Sequence, residues 1–312
     1  MGKASVKAPA YIQFYPTLRC NYSCSFCFNR GLTKTPDITT AEFEKIVHTC
    51  RVSGVKHIDM LGGEPFVHPE IEELVGIIRK NGLTTTISTN GSRPKKLFFL
   101  SEKFPGDSVR IGVSINNAGT SRHLHEYILA MHPIVKTVYS GSQDPAHLLE
   151  PYLQMQEIDC RIIFRDAADS NDLENCPSFE SFTKHLTELK NLYPRLKGVY
   201  CGGFIPDTKA YPELENTRCP AGTTKLSILC DGSVYPCYLL FRYKQFYLGN
   251  ILEDDFLKIW NHPVLDFFRE FSGNPCTNQS CGFHRQCRGG CPAMSHLAHG
   301  RPDLADPRCR AG

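Results

Sequence analysis

Cys20-Asn-Tyr-Ser-Cys24-Ser-Phe-Cys27 gathers three thiols in a C-x3-C-x2-C spacing, directly after a short apolar run, Tyr11 to Tyr15, that reads as a strand. A closed zinc or iron–sulfur site takes four protein ligands. Three sulfurs on one loop therefore suit a [4Fe–4S] cluster with one iron left for an outside ligand, the alternative being a zinc site that borrows its fourth ligand from elsewhere.

Outward from this loop, β-rich runs alternate with helical periodicity. His57 to Leu61, Leu83 to Thr89, Val109 to Ile115, Ile134 to Tyr139 and Arg161 to Phe164 read as further strands. Thr39 and Glu42 form a capping-box pattern ahead of Phe43 to Val52, and Pro69 opens a helix whose Ile71, Leu74, Val75 and Ile78 share one face. Six strands with intervening helices predict an α/β fold with a parallel, barrel-like sheet, in which ligands lie at the carboxyl ends of the strands.

The 312 residues carry 35 basic and 32 acidic side chains, and a net charge of +3 without any basic stripe gives no nucleic-acid footprint. No run approaches the ~18 apolar residues of a membrane span. Met1 to Ala10 lacks an apolar h-region, and Val6 stands where a myristoylation signal needs Ser or Thr, so a cytoplasmic protein is expected. Fifteen cysteines in such a chain read as metal ligands before disulfides.

Eight of those cysteines fall from Cys219 onward, beyond a polar, turn-rich linker, Pro206 to Asn216, which marks a domain boundary. The order is Cys219, then Gly232 and Cys237 in a G-x4-C unit, then Cys276-x4-Cys281-x5-Cys287-x3-Cys291, then Cys309, with one helical stretch at Asp255 to Phe271. One zinc ion cannot use so many sulfurs; two zinc ions or two clusters can.

The three-cysteine loop resembles that of the radical SAM enzymes, and Leu61-Gly62-Gly63-Glu64-Pro65, after the second strand, is similar to that family's S-adenosylmethionine (SAM) methionine-binding motif. The carboxy-terminal spacing, with Leu248-Gly-Asn-Ile251 and Ile259-Trp260, resembles the family's SPASM extension, departing from it at x4 where x2 is usual between Cys276 and Cys281. The resemblance implies a partial parallel (β/α)6 TIM-like barrel at residues 11–205, followed by a small Cys-rich iron–sulfur domain at 219–312. It also implies three [4Fe–4S] clusters and S-adenosyl-L-methionine, an electron donor such as ferredoxin or flavodoxin, and reductive cleavage of SAM to a 5′-deoxyadenosyl radical that abstracts a substrate hydrogen.

By the same resemblance Cys20, Cys24 and Cys27 hold the SAM cluster, Phe26 lies near the adenine, and Gly62, Gly63, Glu64 and Pro65 meet the methionine end. Ser88, Asn90, Ser114 and Arg165 stand at strand ends where relatives bind the ribose hydroxyls and the SAM carboxylate; as plain residues they are turn formers or surface charges. Asn116 departs from the commoner Asp. Cys219, Cys237 and Cys291 are assigned to a nearer auxiliary cluster, and Cys276, Cys281, Cys287 and Cys309 to a farther one.

Asp231-Gly232 reads as a hairpin turn that puts Cys230 at the tip, roughly 13 Å along the ladder from Cys237 at ~3.3 Å per residue. The nearer cluster is therefore expected to have an open or non-cysteine position. Cys50, Cys160, Cys176 and Cys201 match no ligand pattern. Tyr238 follows Cys237 where sulfatase-maturing relatives carry a proton-accepting Asp; it is either a catalytic, substrate-side group or a half-buried aromatic.

The expected substrate is a peptide, oxidatively modified by crosslinking, dehydrogenation or epimerisation. A start so close to the first strand leaves no space for a leader-binding domain, which speaks for the alternative of a small molecule or cofactor precursor. A non-catalytic electron carrier or zinc module is the alternative of another class.

Overall fold

The computed structural model describes residues 8–32, 35–117, 119–141 and 145–309; the stretch containing Val6 and the last three residues of the expected carboxy-terminal unit lie outside the described residues. Short alternating runs give strands β1 (Tyr11–Phe14), β2 (His57–Met60), β3 (Thr84–Thr89), β4 (Val109–Ser114), β5 (Ile134–Tyr139) and β6 (Asp159–Phe164), each within two residues of its expected bounds. In β1 and β2 every second residue (Ile12, Phe14, Ile58, Met60) is buried, as a pleated strand covered on one face requires.

The connections are α1 (Thr40–Val52), α2 (Ile71–Lys80), α3 (Pro94–Lys103), α4 (Arg122–Met131) and α5 (Ala146–Leu153). The capping box is formed: Thr39 Oγ1 accepts from the Glu42 amide at 3.2 Å and Glu42 Oε2 from the Thr39 amide at 3.0 Å. α2 buries the expected stripe of Ile71, Leu74, Val75 and Ile78, with Glu70 as N-cap and Pro69 just ahead of the helix rather than in its first turn. Helices cover the apolar side of the sheet, Phe43 of α1 meeting Phe14 of β1 with ring centroids 4.8 Å apart.

A seventh strand follows α6 (Phe179–Leu192): β7 (Lys197–Val199), too short and polar to read as a strand in advance. β1 to β7 pair in parallel in chain order. Beyond the turn-rich linker, β8 (Lys225–Ile228) adds in parallel to the other side of β1, and β9 (Ser233–Tyr235) and β10 (Gly249–Asn250) follow antiparallel. The expected division near residues 205–218 thus does not interrupt the sheet, whose order is β10-β9-β8-β1-β2-β3-β4-β5-β6-β7.

Gly232 makes the β8–β9 turn with φ +84°, as the Asp-Gly pair requires. The helical stretch after Asp255 is broken into α7 (Phe256–Trp260), a 3-10 turn at Pro263–Leu265 and α8 (Asp266–Arg269), because Pro263 has no amide to continue a helix. α9 (Pro292–His299) closes the order.

Candidate metal centres

The three-cysteine loop leaves the carboxyl end of β1 and is zipped to the end of β2. Gly63 N donates to Thr17 O at 2.9 Å and Glu64 N to Arg19 O at 2.8 Å. A Cβ on Gly63 would stand 2.1 Å from the Arg19 carbonyl oxygen, and one on Gly62 (φ +132°) 2.5 Å from that of Thr17, so both glycines are demanded by this close approach. Cys20 and Cys24 line an open hollow of about 480 Å³ with Asn21, Tyr22, Ser23 and Asn117. Cys27 turns back through its amide onto Cys24 O at 3.1 Å and lies near enough to act electrostatically on both other thiols.

Glu64 is buried. Its carboxylate accepts from Thr89 Oγ1 at 2.7 Å, the Asn90 amide at 2.7 Å and the Phe66 amide at 3.1 Å, and burial pushes its pKa above the ordinary carboxylate range. It thereby fixes the β3 turn beside the cysteine loop. Asn90 completes that tie, its side-chain amide donating to Asn21 Oδ1 at 3.0 Å and pointing at Cys20 Sγ at 4.0 Å. Pro65 opens a buried 3-10 turn, and Phe26 sits half-buried on the loop.

Residues at the other strand ends take partners within the chain. Arg165, assigned to a SAM carboxylate, gives its guanidinium to Asp172 and to the Asn175 carbonyl, an internal ion pair that leaves the group buried. Asn116 accepts from the Val138 amide at 2.9 Å and so braces β5. Ser88 Oγ accepts from Lys136 Nζ at 2.6 Å, and Ser114 stands in register with that lysine.

Lys136 was not anticipated. Its ammonium fills the space left by Gly112, 3.3 Å from where a Cβ would be, and burial lowers its pKa to about 8, partly offset by Asp59 and Glu64. A lysine at an inward-facing position of a strand was the available signal.

Two further cavities hold the carboxy-terminal cysteines. Cys276, Cys281, Cys287 and Cys309 all line one cavity of about 330 Å³, walled by Phe179, Phe204 and Phe283. The wider x4 loop thus still delivers both Cys276 and Cys281. Cys219, Cys237 and Cys291 line another, of about 320 Å³, together with Cys201, which follows β7. This second cavity lies between the strands at the two ends of the barrel, with Ile163 and Val199 on one side and Tyr11, Gln13 and Lys225 on the other.

Cys230 is elsewhere, its thiol 2.8 Å from Thr35 Oγ1. Cys50, Cys160 and Cys176 are buried, and burial pushes Cys50 and Cys160 up to about 12, as in inert core thiols.

Lys225 Nζ donates to Gln13 Oε1 at 3.2 Å and lies 5.5 Å over the Tyr238 ring. Burial opposes its charge, but Cys237, Tyr11, Cys201 and Cys219 outweigh that and raise its pKa. Tyr238 borders the same cavity, packs on Phe28 with centroids 4.5 Å apart, and donates its hydroxyl to Asp166 Oδ2 at 2.7 Å. Among the described residues no three His, Cys, Asp or Glu side chains gather tightly enough for a single metal ion. Three thiols on one loop and two cavities with four thiols each supply the all-sulfur donor chemistry that iron–sulfur clusters take.

An open parallel barrel carrying three groups of cysteines has the architecture of a cysteine-ligated metalloprotein. The radical SAM superfamily profile matches residues 14–118, and the profile of the iron–sulfur cluster-binding SPASM domain matches residues 219–292. The chain is a radical SAM enzyme with a carboxy-terminal SPASM domain, which implies iron–sulfur clusters and SAM.

It is 24% identical to the antilisterial bacteriocin subtilosin biosynthesis protein AlbA of Bacillus subtilis, over 93% of this chain and 68% of AlbA. It is 25% identical to the mycofactocin maturase MftC of Mycobacterium tuberculosis, over 98% of this chain and 84% of MftC. In fold it is similar to Streptococcus suis SuiB bound to S-adenosylmethionine, with TM-score 0.76 and 21% identity over 97% of this chain and 78% of SuiB. No helix among the described residues is long and apolar enough to cross a membrane.

Proposed function

We propose that this enzyme oxidatively modifies a ribosomally made peptide, using three [4Fe–4S] clusters and SAM. The observation that carries the reading is the division of the cysteines into three separate groups: three on a single loop, of which Cys20 and Cys24 line an open hollow, and four in each of two further cavities. Support for a peptide comes from the relatives: one is named for subtilosin biosynthesis, another as a mycofactocin maturase, and SuiB has been solved with its precursor peptide SuiA. When bound, the reduced loop cluster supplies reductive cleavage of SAM and the 5′-deoxyadenosyl radical that takes a substrate hydrogen.

The residues of the chain hold and orient. Cys20, Cys24 and Cys27 ligate; Gly62 and Gly63 bring the β2 end against the loop; Glu64 and Asn90 lock the β3 turn beside Cys20. Lys136, with Ser88, places a half-buried cation inside the barrel, suited to an anionic group. Tyr238 is assigned as a wall of the nearer cavity, its proton engaged by Asp166.

Anaerobically reconstituted protein should carry ~12 Fe and, once reduced, release 5′-deoxyadenosine from SAM. With a precursor peptide encoded beside its gene, mass spectrometry should show loss of hydrogen from the peptide and deuterium transfer from a labelled residue into 5′-deoxyadenosine. Transfer from a small metabolite, with the peptide unchanged, overturns the peptide reading. Zinc in place of iron overturns the whole.

A further inference from the structure

The geometry points to Cys201 as the fourth ligand of the nearer auxiliary cluster, which leaves that cluster no iron for a substrate atom. The inference rests on the reading of the chain as a twin-auxiliary-cluster enzyme and fills the position that cysteine spacing leaves open.

Cys201 belongs to no cysteine spacing, yet it lines the same cavity as Cys219, Cys237 and Cys291. Its place is built. Gly203 O accepts from Arg288 N at 2.8 Å and Gly290 N at 3.1 Å, clamping the turn after Cys201 onto the strip that leads into Cys291. A Cβ on Gly203 would stand 1.9 Å from the Gly290 carbonyl oxygen, so the approach requires glycine. The Gly203 amide donates to Cys201 Sγ at 3.4 Å, and the Phe204 amide closes the turn on Cys201 O at 3.0 Å.

The other unassigned thiols are excluded by position. Cys230 faces Thr35, and Cys176 points at the Asp172 carbonyl at 3.5 Å beneath its own 3-10 turn. Neither lines the cavity.

The test uses protein carrying Cys20→Ala, Cys24→Ala and Cys27→Ala, which keeps the carboxy-terminal clusters alone. After reduction, added imidazole or cyanide should leave its electron paramagnetic resonance spectrum unchanged, as expected for fully ligated irons. Adding Cys201→Ala should keep most of the ~8 Fe and make the spectrum respond to either ligand; adding Cys230→Ala should not. A response in the parent, or none in the Cys201→Ala protein at retained iron, overturns the assignment. A parent without iron sinks the underlying reading instead.

Should Cys201→Ala fail to fold, anaerobic alkylation of the unsubstituted holoprotein decides. Cys201 should be protected along with Cys237, and become labelled once a chelator strips the iron. Labelling of Cys201 at full iron loading overturns the proposal.

Discussion

Arg308 Nη1 donates to Asp166 Oδ1 at 2.7 Å, tying the residue before Cys309 to the turn that follows β6. The same fully buried guanidinium pairs with both oxygens of Asp306 at 2.7 and 3.0 Å and donates to Arg165 O at 2.6 Å. Asp306 in turn accepts from the Cys291 amide at 2.9 Å, and Asp166 from the Tyr238 hydroxyl at 2.7 Å. One cation and two carboxylates therefore join residues adjoining both auxiliary centres.

Arg308→Met should cost ~3–5 kcal/mol, because it strands Asp306 as a buried, unpaired carboxylate. Anaerobic urea unfolding of the holoprotein measures this, with iron analysis alongside. A loss below ~1 kcal/mol would mean that water replaces the arginine.

Gly63→Ala drives a methyl group into the Arg19 carbonyl. Overpacking of this kind costs ~1–3 kcal/mol. The expected result is a chain that still folds but binds SAM at least tenfold more weakly, since the β2 end and the cysteine loop are pushed apart. Equilibrium binding of SAM to the reconstituted protein reads it; unchanged affinity would detach the glycine pair from the site.

Cys24→Ala should remove roughly a third of the iron, ~4 of ~12 atoms, and abolish 5′-deoxyadenosine formation. The two carboxy-terminal centres draw on other cavities and should persist in the spectrum of the reduced protein. Residual cleavage of SAM above a few per cent would place the reactive cluster elsewhere.

Lys136 titrates at about 8 in the fold against an ordinary 10.5. Between those values the unfolded chain holds the extra proton, so stability rises with pH across that window; below about 8 both states are charged and the burial penalty is present in full. Lys136→Met should therefore gain most over the unsubstituted protein below pH 8 and lose that advantage toward pH 10.5. Urea midpoints at several pH values test it, and a pH-independent difference would mean that the ammonium is solvated.

Much of this molecule was legible because its chemistry is local. β1 to β6 follow from alternation within a few residues, α1 from a box spanning Thr39 to Glu42, and the loop thiols from spacing along one turn. Pairings across distant segments left no such trace. Nothing in Lys225 to Ile228 announces that it lies beside β1, and Cys201 hides behind β7, a three-residue Lys-Gly-Val strand with too little side chain to declare itself. Arg165 looked available at its strand end because its partner, Asp172, is supplied by a turn whose fold-back no periodicity encodes.

The first and last strands of the parallel run, β8 and β7, are not paired with each other among the described residues, and a cysteine stands on each side of the slit: Cys201 beyond β7, Cys219 ahead of β8. Iron and sulfide would rivet those strands like a mineral stave in an otherwise protein cask. With a cluster bridging Cys201 and Cys219, loss of its iron would unfasten this seam, and the stripped protein should be cut by proteases faster than the holoprotein.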